Sequence, residues 1–558
     1  MKKWWQKEVI YQIYPKSFYD SNGDGIGDVK GITEKLDYLS DLGVTMLWLC
    51  PIYRSPMDDN GYDISDYYQL NPEFGTMEDL DELIEKAKKK NIKIILDLVI
   101  NHTSDEHPWF QDAINNPNSP YKDYYIFKEG KDGEEPTNWR SIFGGSVWEK
   151  VKDTNEYYLH VFSKKQPDLN WENEKVRNDL YDMVNYWLDK GLAGFRVDAI
   201  TFIKKDQSYE SIPSDGVDGL AKVTKCARNQ KGIEKFLTEL KEKTFSKYDC
   251  VTVGEAPGVP YDQLEDFIGE KGYFSMIFDF SYADLDVESG SEWFKRRNWT
   301  IKELRDRIFK SQLEMQKVGW GAIFSENHDQ PRSISKYIKE EDRNYYSTTM
   351  LAALFFFLRG TPFIYQGQEI GMTNFERTSI DDFNDLSSID QYYRSLEEGF
   401  SKEEALHIVN LRSRDNGRTP FHWDDTKNAG FSLGTPWIKL NENYTEINLK
   451  AEENKKDSVL EFYKKIIQIR QNGKYSDCLI YGDILPLDID IDDIIAYQRC
   501  YENQNIVCVF NFSNKSQSIS LPIKSTDIVL NNYDTISITE QEINLKPFQL
   551  VLIATEKV

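Results

Sequence analysis

Four short stretches of this chain end in side chains that could carry acid–base or nucleophilic chemistry. They read DLVINH (97–102), GFRVDA (194–199), VGEA (253–256) and SENHD (325–329). Two of the chain's 6 histidines, His102 and His328, fall in them. Carboxylates at the ends of several apolar runs suit cleavage of an acetal, which needs a protonated leaving oxygen and an anion facing an oxocarbenium-like centre. One carboxyl must then be neutral while another is charged at the same pH. Arg196 lies two residues before Asp198, so on a strand both point to one face. The guanidinium is expected to hold Asp198 ionised, as a nucleophile must be. Glu255 is approached through Val251 and Val253 and flanked by Gly254 and Ala256. Poor solvation is expected to raise it toward the range of a general acid. Any one of these carboxylates alone reads as readily as a strand-end cap. Together, at several ends, with Asp329 as a third acid, they favour catalysis.

The elements that would position them follow from a recurring pattern. Apolar runs occupy 9–15, 44–51, 92–102, 193–199, 250–256, 276–281, 320–329 and 361–371. Segments of helical period lie between them at 77–90, 174–190, 233–245, 302–317 and 346–359. In the first of these, Leu80, Leu83, Ile84 and Ala87 recur at i, i+3, i+4 and i+7. Eight buried strands alternating with helices predict an α/β fold, a closed (β/α)8 TIM barrel whose C-terminal strand ends form the site. The barrel is expected over 1–103 and 171–479, with an inserted subdomain at 104–170 after strand three and a loop subdomain at 372–443 after strand eight. From about 480 to 558 short alternating strands, including 494–501, 506–513, 518–523 and 549–554, predict an antiparallel β-sandwich.

The chain has 558 residues, with 68 Lys+Arg against 93 Asp+Glu and a formal charge of −25. Such a surface repels phosphate backbones and anionic lipid heads, so neither nucleic acid nor membrane is an expected partner. The 13 Trp, 33 Tyr and 30 Phe can fill a large core, and some could stack on sugar rings. Six cysteines without a CxxC pair, and an N-terminus whose Gln6, Lys7 and Glu8 interrupt any apolar core of a signal peptide, point to the cytoplasm.

With these residues in hand the chain resembles the α-amylase superfamily of glycoside hydrolases, and within it the oligo-1,6-glucosidase/α-glucosidase branch. The resemblance rests on DLVINH, QPDLN (166–170), GFRVDA, GEAPG (254–258), NHDQPR (327–332) and RDNGRTPFHWD (414–424), in that order along essentially the whole chain. It implies a retaining mechanism with Asp198 as nucleophile, Glu255 as general acid/base and Asp329 holding the sugar hydroxyls. His102 and His328 match histidines that bind hydroxyls of the cleaved glucose, and Arg196 matches the partner of the nucleophile. In DNGYD (59–63), Tyr62 would stack under that glucose, and Asp59 with Arg414 would clamp its non-reducing end. That implies exo action on a small neutral oligosaccharide. A monomer is the expected state. Gln166, from QPDLN, belongs with the substrate-binding set. Phe143 and Phe162 match pocket-wall aromatics, core packing being the alternative. Val after the nucleophile goes with α-1,6 preference in this branch, whereas this chain has Ala199. Sucrose isomerases typically carry Phe-Asp-Thr at the nucleophile and an Arg-Leu-Asp-Arg-Asp loop, and neither is present. Sucrose conversion and trehalose-6-phosphate hydrolysis remain the alternatives.

The stretch DSNGDGIGD (20–28) places Asp20, Asn22, Asp24, the carbonyl of Ile26 and Asp28 at mostly alternate positions, with glycines between. It resembles the front of an EF-hand without the distal Glu. A structural Ca2+ is the expected cofactor, with none for catalysis. A plain Asp/Asn/Gly turn is the alternative.

Overall fold

The computed structural model describes residues 2–131, 133–521, 524–539 and 542–556. Eight parallel strands close a barrel in the order β1-β8-β7-β6-β5-β4-β3-β2. They are β1 (Ile10–Ile13), β2 (Met46–Leu49), β3 (Lys93–Leu98), β4 (Gly194–Val197), β5 (Val251–Gly254), β6 (Met276–Phe278), β7 (Gly321–Ile323) and β8 (Thr361–Tyr365). Each lies inside one of the eight apolar runs. Nearly every strand residue is buried, because the barrel interior takes one face and the helices the other, so the sequence reads as continuous apolar runs. The polar ends of those runs lie just past the strands.

Register decides where the acids emerge. Val197 lies opposite Leu98 on β3 and Gly254 on β5, so Asp198 and Glu255 leave the barrel side by side. Arg196 lies one level below, opposite Asp97 and Val253.

The expected helices form at Met77–Lys89, Glu174–Asp189, Ile233–Lys243, Ile301–Val318 and Tyr345–Phe356. The first is set by a capping box, with the Thr76 hydroxyl accepting from the Asp79 amide and Asp79 reaching back to the Thr76 amide. Its Leu80, Leu83 and Ala87 are buried, while Ile84 is only partly covered.

After β3 the chain forms a three-stranded antiparallel sheet from Phe127–Glu129, Glu156–Leu159 and Trp148–Lys150. This part does not bury its apolar face alone. The segment after β4 completes it: Ala221–Lys222 pairs in parallel with Trp139–Arg140, and Ala199, Phe202, Val223 and Cys226 share a core with Trp139, Trp148 and Leu159. After β8, helices Leu386–Glu397 and Lys402–Arg412 pack as a hairpin around Phe383, Tyr392, Ala405 and Val409.

The C-terminal part has two antiparallel sheets. One runs β9-β10-β11-β16-β13 and the other β12-β15-β14, with β9 Asp483–Pro486, β10 Ile494–Tyr501, β11 Gln504–Asn511, β12 Gln517–Ser520, β13 Ser525–Asn531, β14 Ser537–Ile538, β15 Glu542–Leu545 and β16 Leu550–Thr555. The expected strand at 518–523 runs into residues outside those described. The expected alternation of apolar and polar residues is not what β10 and β11 show. Ile494, Ala496, Val507 and Val509 face the second sheet, while Ile495, Tyr497, Ile506 and Cys508 join the barrel core. This sheet is covered on both faces, hence apolar on both.

Candidate active site

Asp198 and Glu255 flank a cavity of about 300 Å3 at the C-terminal mouth of the barrel. Asp59, Tyr62, His102, Phe143, Phe162, Asp329 and Arg414 line it with them. The other expected residues, Arg196, Gln166 and His328, stand directly behind these walls and hold them.

Arg196 is the hub. Its Nη1 meets Asp97 Oδ1 at 2.5 Å and Asp198 Oδ1 at 2.6 Å, and its Nη2 meets Glu255 Oε2 at 3.0 Å. The Ala199 amide donates to the same Glu255 oxygen at 2.8 Å. The carboxyl of Glu255 therefore rests on a guanidinium and an amide, not in the apolar setting expected from its strand neighbours. The cation comes from the adjacent strand, which the local sequence does not show. The expectation for Asp198 also needs correction. Burial raises its carboxyl well above the usual carboxylate range, and Arg196 opposes this while Glu255, Asp97 and Asp329 reinforce it. Burial and the neighbouring acids outweigh the one guanidinium, so proton uptake by Asp198 is favoured. Asp97 itself is pushed up to about 6 by burial, against Arg196 and a hydrogen bond from Trp48.

Tyr62 and His328 stack with centroids 5.5 Å apart and planes 8° from parallel. His328 is fully buried, with Gln12 Nε2 2.7 Å from Nδ1 and the Tyr62 hydroxyl 2.6 Å from Nε2. The amide can only donate, so the proton belongs on Nε2, facing Tyr62 and, at 3.3 Å, Asp329 Oδ2. Burial lowers His328 to about 3 and His102 to about 4, so both rings are neutral at physiological pH. Asp329 accepts from Arg418 at 2.9 Å and Arg414 at 3.4 Å. Burial opposes its charge, but His328, Arg414 and Arg418 outweigh it and leave the carboxyl strongly lowered.

Arg414 ties together several parts of the cavity wall. Its Nη2 reaches Asp59 at 3.2 Å and Asp385 at 2.7 Å, and its guanidinium lies 5.0 Å from the Phe143 ring centroid. Gln166 donates to Asp59 Oδ2 at 3.1 Å and lies 3.2 Å from His102 Nε2, joining the two walls. Phe162 packs between His102 and Phe143, with centroids at 5.3 and 5.7 Å.

Three residues of this machinery were not in the sequence-based set. Asp97 and Arg418 stand inside motifs already noted, Arg418 four residues after Arg414. Asp385 lies within the long insertion after β8 and carries no local signal.

In the 20–28 loop, Asp20 accepts amides of Asn22, Gly23 and Gly25 at 3.0, 2.7 and 2.7 Å and the Ser432 hydroxyl at 2.5 Å. Asn22 and Asp24 accept the amides of Asp24 and Ile26, and Asp28 accepts the Gly31 amide as N-cap of helix Val29–Glu34. Gly25 has φ +95°, and a Cβ there would sit 1.9 Å from the Thr435 carbonyl oxygen, so only glycine fits. The donors are all oxygen, the type a hard cation takes. Among the described residues no three acids, histidines or cysteines are gathered as a metal cluster.

The family model of the α-amylase catalytic domain matches residues 12–482, and that of the SusG α-amylase C-terminal domain matches 494–551. The chain belongs to the α-amylase family. With relatives named oligo-1,6-glucosidase over its full length, the protein is a glycoside hydrolase of that family. It is 45% identical over 556 residues, 98% of each chain, to an oligo-1,6-glucosidase of Parageobacillus thermoglucosidasius. An isomaltulose synthase from Klebsiella sp. LX3 superposes with a TM-score of 0.93 at 40% identity, and a trehalose-6-phosphate hydrolase of Bacillus licheniformis with 0.91 at 40%, each covering 100% of both chains. These α-amylase relatives share the barrel and differ in what they act on. Among the described residues, no helix is long and apolar enough to cross a membrane.

Proposed function

We propose that this α-amylase family enzyme is an exo-acting retaining α-glucosidase that removes the terminal α-linked glucose from short oligosaccharides of the isomaltose type. The observation that carries this is the Arg414–Asp59 contact at 3.2 Å in the cavity wall, which supports a closed end that only a chain terminus fits. Glucose would lie over Tyr62, with Asp59 and Arg414 on the hydroxyls of its non-reducing end and His102 and Asp329 on those nearer the reacting carbon. Glu255 gives its proton to the leaving oxygen as the C1–O bond breaks, and an Asp198 oxygen bonds C1. Water then attacks C1, giving a proton to Glu255, and Asp198 leaves. A single guanidinium bridging Asp198 and Glu255 supports the short retaining separation of ~5–5.5 Å over the wider inverting one. Arg196, Gln166 and His328 act as positioning residues.

The test is a panel of isomaltose, maltose, sucrose and trehalose 6-phosphate, scored for free glucose and for isomeric disaccharide. Glucose released fastest from isomaltose is the expected result. Preferential formation of an isomeric disaccharide from sucrose, or turnover confined to trehalose 6-phosphate, would replace this reading by one of the alternatives.

The oxygen-rich 20–28 loop supports a structural calcium site held by Asp20, Asn22, Asp24, the Ile26 carbonyl and Asp28. Added Ca2+ should raise the Tm of the wild type and not of Asp24→Ala, and equal responses would end this reading. A cytoplasmic monomer completes the proposal, supported by Cys50, Cys226, Cys478 and Cys508, which are buried and form no disulfide.

A further inference from the structure

The pocket adjoins a second cavity of about 800 Å3. The two share Ile142, Pro257, Asp284, Trp293, Ser387 and Arg412 as walls. A general acid stands beside the oxygen it protonates, so the leaving sugar must lie on the Glu255 side, in this second space. Its cations are mostly spent. Arg140 pairs with Asp215 and Asp218, Lys222 with Glu292, Arg307 with Glu303, and Arg412 with Asp284 and Asp286.

Arg228 differs. Among the described residues its guanidinium has no hydrogen-bond, ion-pair or ring partner, although it lines the cavity and is only partly exposed. Burial lowers its pKa with no carboxylate opposing. It packs on the loop that follows Glu255: a Cβ on Gly258 would lie 2.5 Å from Arg228 Nε, so the glycine, at φ +79°, leaves the space the side chain uses. A guanidinium with five donors, removed in part from water and left unpaired, is poised for oxygen atoms that arrive with a ligand.

We propose that Arg228 is a specificity-determining residue that donates hydrogen bonds to hydroxyl oxygens of the leaving sugar. Neutral hydroxyls fit better than an anionic group, because Asp279 and Glu288 line the same cavity and would repel a phosphate. The inference rests on the glucosidase reading and adds a residue to its leaving-group side.

The test compares isomaltose with p-nitrophenyl α-glucoside, whose leaving group has no sugar hydroxyls. Arg228→Ala and Arg228→Gln should each lose about tenfold or more in kcat/KM on isomaltose, mostly through KM, and stay within about twofold of wild type on the nitrophenyl glucoside. The retained activity shows that both variants fold. Equal losses on both substrates, or none on either, would overturn the proposal. So would a loss confined to trehalose 6-phosphate with isomaltose unaffected, which would make Arg228 an anion site. Wild-type turnover of the nitrophenyl glucoside checks the underlying glucosidase reading separately.

Discussion

Replacing Arg414 by alanine perturbs one contact set with two separable consequences. The guanidinium serves Asp59, Asp329 and Asp385, and Arg418 is the other cation in this group. Asp329 keeps its 2.9 Å contact with Arg418 when Arg414 is gone. Asp59 and Asp385, 5% and 1% exposed, lose their arginine partner. Breaking a buried ion pair by removing one side costs about 3–5 kcal/mol, so the variant should unfold at clearly lower denaturant concentration. The second consequence is on substrate. A charge-assisted hydrogen bond to a glucose hydroxyl is worth about 1.5–3 kcal/mol, so kcat/KM on isomaltose should fall by about 10- to 100-fold, mainly through KM. Because the blind end is removed, the penalty for longer chains that run past the cleaved glucose should also shrink. Steady-state kinetics on isomaltose and a long isomalto-oligosaccharide, together with urea unfolding, measure both. An unchanged kcat/KM on isomaltose in a folded Arg414→Ala protein would refute the idea that this arginine closes the pocket on the sugar.

Two further outcomes follow from single positions. Ala199 sits at φ 42° and ψ 34°, buried against Phe202, so Ala199→Val places a β-branched residue in strained backbone at a cost of about 1–3 kcal/mol. It should also raise the isomaltose-to-maltose ratio of kcat/KM by about tenfold, and an unchanged ratio would remove Ala199 from linkage selection. His107 caps helix Pro108–Asn115 by accepting the Trp109 amide, and burial lowers it to about 3. The unfolded chain binds a proton there near pH 6.5 while the native state does not, so stability is lost as pH falls below 6.5. Relative to His107→Asn, which keeps the cap, the wild type should lose about 2 kcal/mol more between pH 7 and pH 5, read from urea midpoints. A difference that does not change with pH would contradict the assigned ionisation.

The eight strands could be read from the chain because burial on both faces leaves a long-range pattern in a short window. Asp198, Glu255 and Asp329 stood out because they interrupt that pattern where the strands end. The features that escaped depend on partners distant in sequence. Arg196 reaches across to Glu255 from a neighbouring strand, which replaced an apolar setting with a charged one. Burial, with Glu255 and Asp97 crowding the same guanidinium, reversed the expected shift of Asp198. Asp385 meets Arg414 only after the helical hairpin beyond β8 folds back. The segment at 221–227 looks like an ordinary loop until it pairs with Trp139–Arg140 and shares the core of the insertion after β3.

Covalent trapping tests the central claim most directly. Incubation with 5-fluoro-α-D-glucosyl fluoride slows departure of the glycosyl group from the enzyme, so the intermediate accumulates. Peptide mass spectrometry should then find one glucosyl adduct, on the peptide that contains Asp198 and at its carboxylate. An adduct on Glu255 or Asp329 would contradict the assignment of Asp198 as the nucleophile, as would rapid turnover of the reagent with no covalent species.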